Sequence, residues 1–295
     1  MDTRNFNLFM ERLGFEVYEG AGSFWSRMGG GFLLAHPYHY EIDPDERDLR
    51  ALMRKAHAWG VKYNRAPGGR EARQNATGGI YLLRGAGYDA SQLDSNKKRD
   101  IIKGLKLCEV RRAGPDEVSA KAFEINREVL ERQNRRDALF DSEQGFKRTL
   151  GAIKTTEGAE IWAAFAEGAL AAYIVTFRID DTANILYHFS SSRLQKMSPN
   201  DALAYAYAKE MASKGLTVSY GLVGLVPNPG LDKFKRRLGF TVEPREFTVR
   251  LGWQLRPLSA FSLPGLVGRA GRALKSDRLA KLGTLLELAR HGRQR

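Results

Sequence analysis

In the stretch NPGLDKFKRRLGF, Asn228 to Phe240, a turn signal runs into a short basic helix that closes on Gly239. An amine attacking an ester or thioester carbonyl passes through an oxyanion, and an ammonium aimed at it in a dry site removes on the order of a few kcal/mol from the barrier. Lys235 is the candidate for that role. The same ammonium would also hold the phosphates of an RNA end. A plainer reading stands beside these. Leu231, Phe234 and Leu238 fall at i, i+3 and i+7, which makes Phe234 core and leaves Lys233, Lys235, Arg236 and Arg237 on a solvated face. If Lys235 is functional, Lys235→Ala is expected to lower turnover greatly with little loss of stability, because an exposed lysine carries little packing.

The strand ANILYHFSSS alternates, so Tyr187 and His188 point to opposite faces, and His188 is a candidate base. Tyr220, on the strand LTVSYGLVGL, joins it as a catalytic candidate. Phe234, Arg193, Lys233, Arg236, Arg237 and Asn228 are candidates for substrate contact. The other chemistry is sparse. The lone Cys108 sits among apolar and basic residues with no histidine beside it and reads as a half-buried structural thiol. The histidines are His36, His39, His57, His188 and His291, without HxxxH or Cys/His spacing, so no metal is expected. Gly29, Gly30 and Gly31 lack the lysine of a phosphate loop and read as a hairpin turn.

The elements that must position these residues follow from turn and cap signals. FEVYEGAGSFWSRMG and GFLLAHPYHY read as strands. DPDERDLRALMRKAHAWG reads as a helix with Asp43 as its cap, Pro44 at its first position and Gly60 at its end. VKYNRA and GGIYLLRG are short strands, and LDSNKKRDIIKGLKLCEVRR is a basic helix running into a strand around Val110. Two helices follow, from Pro115 to about Gln133 and from about Ser142 to Thr155, then a three-stranded meander turning at Glu167-Gly168 and Asp180-Asp181. SPNDALAYAYAKEMASKG is a helix with Ser198 as cap and Gly215 as stop. A buried-type strand, the basic helix and FTVEPREFTVRL close the series, giving βααβββαβαβ.

That order over residues 107 to 251, with Phe234 and Lys235 followed by Gly239 and Phe240, resembles the Gcn5-related N-acetyltransferase (GNAT) superfamily. The resemblance implies a strand-five, asparagine-loop and helix-four unit ending in F-Y-x-x-x-G-F, in which the tyrosine protonates the leaving CoA thiolate. Here Lys235 stands at the tyrosine's place. It also implies a Q/R-x-x-G-x-G/A loop that cradles a pyrophosphate, yet this chain reads SSRLQKMSPNDAL there, without a glycine. The Phe-Lys pair, the preceding α/β half and the basic joining helix from Arg99 to Lys106 resemble the Fem-type aminoacyltransferases, over roughly residues 15 to 251. That family implies two GNAT-like halves in tandem, each a mixed, mostly antiparallel sheet flanked by helices. It implies transfer of an amino acid from aminoacyl-tRNA to an amine on a peptide or small molecule, with the substrate supplying its own proton and no resident cofactor. An acyl-CoA or carrier-protein donor, and a non-catalytic RNA- or membrane-binding module, are the competing readings.

At 295 residues and 43% hydrophobic content the chain can fill a real core. The divisions expected are residues 1–104 and 105–252 for the two halves and 253–295 for a tail. Net charge is +13, and residues 251–295 hold +7 of it, from two lysines and seven arginines against Asp277 and Glu287. Such a balance favours RNA, an anionic membrane or a phosphorylated substrate. In the tail, Leu274, Leu279, Leu282, Leu285, Leu286 and Leu288 alternate with cations as a basic amphipathic helix. It would pack on the body, grip RNA or lie on a membrane. No run of about 18 apolar residues and no leader pattern occurs, so a cytoplasmic protein is expected, with peripheral membrane contact through the tail.

Overall fold

The chain opens with an amphipathic helix, α1 (Thr3–Arg12), that the sequence reading passed over. Its Phe6 and Phe9 meet the ring of Phe177 at 5.1 and 5.2 Å. The computed structural model describes residues 3–27, 31–65, 76–134, 136–223 and 228–255, with 282, 283, 285, 286 and 289 of the tail. Contacts gather these into two compact units, one of residues 1–14, 81–221 and 228–242, the other of 15–80, 222–227 and 243–295. The units do not follow the linear divisions expected at 104 and 252.

In the second unit, β1 (Val17–Gly20), β2 (Ser23–Arg27) and β3 (Phe32–His36) form an antiparallel meander. Arg27 pairs with Leu33 across β2 and β3, while Gly29 and Gly30, read as a hairpin turn, lie outside the described residues. Helix α2 (Glu46–Lys55) then leads to β4 (Gly60–Arg65), parallel to β3. The cap of α2 is Asp45, whose carboxylate accepts the amides of Arg47 and Asp48. The expected cap, Asp43, pairs instead with Arg65. Gly60 is no helix stop: the helix ends at Ala56, and a Cβ on Gly60 would lie 2.5 Å from the carbonyl of Arg250. Strand β11 (Thr241–Leu251) runs antiparallel to β4.

The first unit repeats that β-β-β-α-β path on a larger scale. Its members are α3 (Ser95–Leu107), β6 (Cys108–Ala113), α4 (Pro115–Arg132), α5 (Glu143–Thr155), β7 (Ala159–Ala166), β8 (Ala169–Ile179), β9 (Thr182–Ser190), α6 (Pro199–Ser213), β10 (Thr217–Leu222) and α7 (Pro229–Arg237). β5 (Ala76–Leu83) comes from the amino-terminal part of the chain and is the neighbour of β10, in the order β5-β10-β9-β8-β7-β6. Each unit thus takes its closing strand from the other stretch of sequence. β6 to β9 are antiparallel, and β9 and β10 are parallel only from Thr217 to Ser219. Leu186 is an extra residue in β9, because Tyr187 faces Val175 while Ile185 faces Thr176. Such a bulge bends its strand, and here the bend begins where pairing with β10 has stopped.

The tail's described residues settle part of its reading. Leu285, Leu286 and Ala289 are buried with Phe32, Val249, Leu251 and Leu255, and Leu282 packs against the same cluster. Leu274, Leu279 and Leu288 lie outside the described residues.

Candidate active site

The polar side chains of the first unit converge beyond Ser219, where β9 and β10 cease to pair. Helix α7 brings Lys235 there. Its entry is fixed by Asn228, whose side chain accepts the Leu231 amide at 3.1 Å, and by Pro229 in the first turn. Its exit is Gly239 at φ +86°, a left-handed position that suits glycine and lets the Gly239 and Phe240 amides return to the carbonyls of Arg236 and Lys235.

Burial near α7 departs from the expected pattern at two residues, while Lys233 and Arg236 are exposed and Leu238 buried as expected. Lys235 is only 5% exposed while Leu231 is 45% exposed and Phe234 half-buried. The apolar stem of Lys235 reaches inward and its Nζ donates to the Tyr220 carbonyl at 2.6 Å. The ammonium lies 4.3 Å from the Tyr81 ring centroid and 4.8 Å from that of Tyr220. Burial lowers its pKa to about 8, with the Asp232 charge opposing. Lysine at this place is therefore an interior cation, not a solvated one.

Tyr187 and His188 do point to opposite faces: Tyr187 packs on Phe140 at 4.6 Å, and His188 turns to the cleft. His188 Nδ1 is hydrogen bonded to the Tyr220 hydroxyl, and the two rings stack at 6.1 Å. Burial pushes the imidazole down to about 4, with a contribution from the Lys235 charge, although the Asn200 side chain opposes. The Tyr220 phenol is driven up by burial. The direction of that bond follows the imidazole tautomer: with the His188 proton on Nε2, the Tyr220 hydroxyl donates and Nδ1 accepts. Among the described residues that buried Nε2, Asn200 Oδ1 and the Ser219 hydroxyl meet no hydrogen-bond partner of good geometry.

Phe234 presents its ring to the same space, 6.2 Å from His188 and 6.4 Å from Tyr220. Lys97 of α3, 3% exposed, stands 4.9 Å from the Phe234 centroid and pairs with Asp201 in the first turn of α6. Tyr81 donates its hydroxyl to Asp232, which holds that carboxyl below its usual range, while burial raises the phenol to about 12. Lys97, Asp201, Tyr81 and Asp232 escape sequence reasoning, because their meeting depends on four elements distant in the chain.

The remaining candidates scatter. Arg236 pairs with Asp232 one turn back, and Arg237 forms a two-bonded pair with Asp94, the cap of α3. Asn228 is a helix cap. Arg193 and Lys233 are exposed. Cys108 is buried, with its thiol pKa raised by burial. Among the described residues no cluster of His, Cys, Asp and Glu fits a metal.

The approach to α6 and its first turn both carry acids. The Ser192 amide donates to Glu128 of α4 at 2.8 Å, and Arg132 donates to the Ser192 hydroxyl. Pro199 contributes no amide proton, Asp201 puts its charge in the first turn, and Ser198, the expected cap, is left-handed at φ 57° without a capping bond. Gly104 of α3 lies against the same turn, where a Cβ would stand 2.5 Å from the Ser198 carbonyl.

Residues 94–236 match the family described as the acetyltransferase (GNAT) domain. No curated protein matches the chain. Among solved structures, FemX superposes with a TM-score of 0.57 at 12% identity, covering 87% of this chain and 92% of its own. L-PGS from Bacillus licheniformis, a lysyl-phosphatidylglycerol synthetase, gives 0.56 at 12% identity, covering 88% and 94%. A conserved protein of unknown function from Bacteroides thetaiotaomicron gives 0.57 at 12% identity, covering 83% and 88%. At such identities the likeness is one of fold.

Proposed function

We propose that this chain, which carries a GNAT-fold acyltransferase domain over residues 94–236, moves an aminoacyl group from aminoacyl-tRNA to an amine on a peptide or small molecule. The observation that carries the reading is the buried Lys235 ammonium at the parting of β9 and β10. An ammonium has three donors; one is taken by the Tyr220 carbonyl, which leaves two for an oxyanion. The likeness in fold to FemX and to a lysyl-phosphatidylglycerol synthetase supports an aminoacyl donor.

In the proposed reaction the amine nitrogen bonds to the ester carbonyl carbon, the bond from that carbon to the ribose oxygen breaks, and the amine's proton ends on the ribose oxygen. Lys235 stabilises the negative charge in between. His188 and Tyr220 hold each other and the backbone that positions Lys235, and their shifted pKa values leave both neutral near pH 7. Phe234 offers a partly open ring on which a base can stack, and Arg193 and Lys233 are exposed cations for phosphates. Residues 191–203 hold no glycine, Pro199 gives the first turn of α6 no amide proton, and Glu128 accepts the Ser192 amide ahead of the helix, which favours a donor other than CoA. Use of charged tRNA would place the reaction in the cytoplasm.

The test supplies charged tRNA and a panel of amines and weighs the amide product. Product that requires charged tRNA and disappears in Lys235→Ala is expected. CoA at about 1 mM supplies the opposing arm: for a dissociation constant of about 10 μM it would add about 2.7 kcal/mol and raise the melting midpoint by several degrees. That rise, or transfer from an acyl-CoA, would replace the proposal with a CoA-dependent one. No transfer from any donor would leave a binding module.

A further inference from the structure

Helix α3 turns Lys97, Ile101 and Gly104 inward and leaves a second face in solvent. Ile102, Leu105 and Leu107 are 53%, 43% and 47% exposed, three of the seven large hydrophobic side chains that stand out among the described residues. Lys98, Arg99, Lys103 and Lys106 are exposed on the same helix. Counting from Ile102, Lys98 and Lys106 lie one turn to either side and Leu105 lies at i+3, so cation and aliphatic alternate along one stripe.

The charge of that stripe is uncompensated among the described residues. Elsewhere in the unit several exposed cations have acids beside them: Arg111 with Glu117, Lys121 with Glu124, Lys147 with Glu143, Lys154 with Asp116, Lys209 with Asp89. Asp100 is the one acid on α3 itself, against those four exposed cations, and of its neighbours Asp94 is engaged by Arg237 and Asp201 by Lys97.

We propose that this face of α3 docks on an anionic lipid bilayer. A phosphate backbone rewards the four cations but gains nothing from three exposed aliphatics, whereas the boundary between headgroups and acyl chains rewards both. The helix is about 20 Å long, enough to present four cations and three aliphatics together. The tail is the weaker candidate, since its described leucines are spent in the core. The docking stands whether or not the chain transfers an aminoacyl group.

Flotation of the full chain with vesicles tests it, using phosphatidylcholine alone and phosphatidylcholine mixed with phosphatidylglycerol. Binding to the mixed vesicles only is expected. The double variant Ile102→Ser, Leu105→Ser should weaken it about tenfold, and Lys98→Gln, Lys103→Gln, Lys106→Gln should weaken it similarly and abolish the preference for anionic lipid, with melting midpoints unchanged because every substituted side chain is exposed. Three results would overturn the proposal. One is no binding to anionic vesicles. Another is binding indifferent to both α3 variants but lost with Arg269→Glu, Arg272→Glu, Lys275→Glu, Arg278→Glu. The third is tight binding to an RNA duplex that falls with the lysine variant and ignores the aliphatic one, without vesicle binding.

Discussion

Lys235 holds its proton less firmly in the folded chain, with a pKa of about 8, than the 10.5 of a free lysine side chain. Between those values the unfolded state binds more protons, so stability rises with pH across the window, by about 3 kcal/mol in all if the lysine acts alone. Lys235→Met keeps the stem, discards the charge and should flatten that rise in urea titrations. The same variant should lower turnover by about a hundredfold or more, as loss of an oxyanion donor does, and in the parent chain activity should decline as pH passes about 8. His188 gives the complementary effect. With its pKa held near 4 against 6.5, the unfolded chain takes up the proton first as pH falls, so stability is lost from about 6.5 down to 4. Tyr220→Phe leaves the buried Nδ1 without its donor and should destabilise by about 1–3 kcal/mol, while turnover changes by less than about tenfold, because that hydroxyl is committed to His188. A larger fall in turnover would return Tyr220 to the chemistry. Of these residues the sequence identified Lys235, His188 and Tyr220 but misplaced Lys235 in solvent. Periodicity counts apolar side chains, and it has no means of showing that two tyrosines from separate strands will enclose a lysine stem.

At the scale of the element, cap and turn chemistry made most boundaries readable. Pro115, Ser142 and the Glu167-Gly168 and Asp180-Asp181 turns stand where expected, with Glu167 at φ 52° and Asp180 at φ 50°. Asp43 failed as a cap because three acids lie within five residues, and only the amide geometry distinguishes Asp45. Helix α1 was missed since its apolar face needs Phe177, far along the chain, to give it meaning. The segment before α6 was half legible: the missing glycine could be read, but not the carboxylate from α4 that accepts the Ser192 amide. Gly104 gives this element its own test. Gly104→Ala drives a methyl to 2.5 Å from the Ser198 carbonyl and 2.8 Å from the Ala202 Cβ, so α3 must lift from α6. A loss of about 1–3 kcal/mol is expected in chemical denaturation despite the better helix propensity of alanine. An unchanged midpoint would show that the two helices are free to part.

For the molecule as a whole, linear divisions at 104 and 252 were a reasonable expectation from composition, and the exchange of closing strands is why the compact units cut elsewhere. Nothing in a strand's own sequence says which sheet it will join: β5 ends in the continuous apolar run Ile80–Leu83 and β11 alternates from Phe247 to Leu251, yet β5 comes to lie beside β10 while β11 lies beside β4. The same limit applied to the tail. Its leucine spacing fitted a membrane surface, RNA or the protein's own core equally well, and only the burial of Leu285, Leu286 and Ala289 against Phe32, Val249 and Leu251 separates them. Leu286 is fully buried, so Leu286→Asp should destabilise by at least about 3 kcal/mol. At about 2–4 °C per kcal/mol for a chain of this size, the melting midpoint should fall by roughly 10 °C. If Leu286→Asp melts with the parent chain, the helix is not held by its leucines, and a lipid or nucleic-acid role for the tail regains its standing.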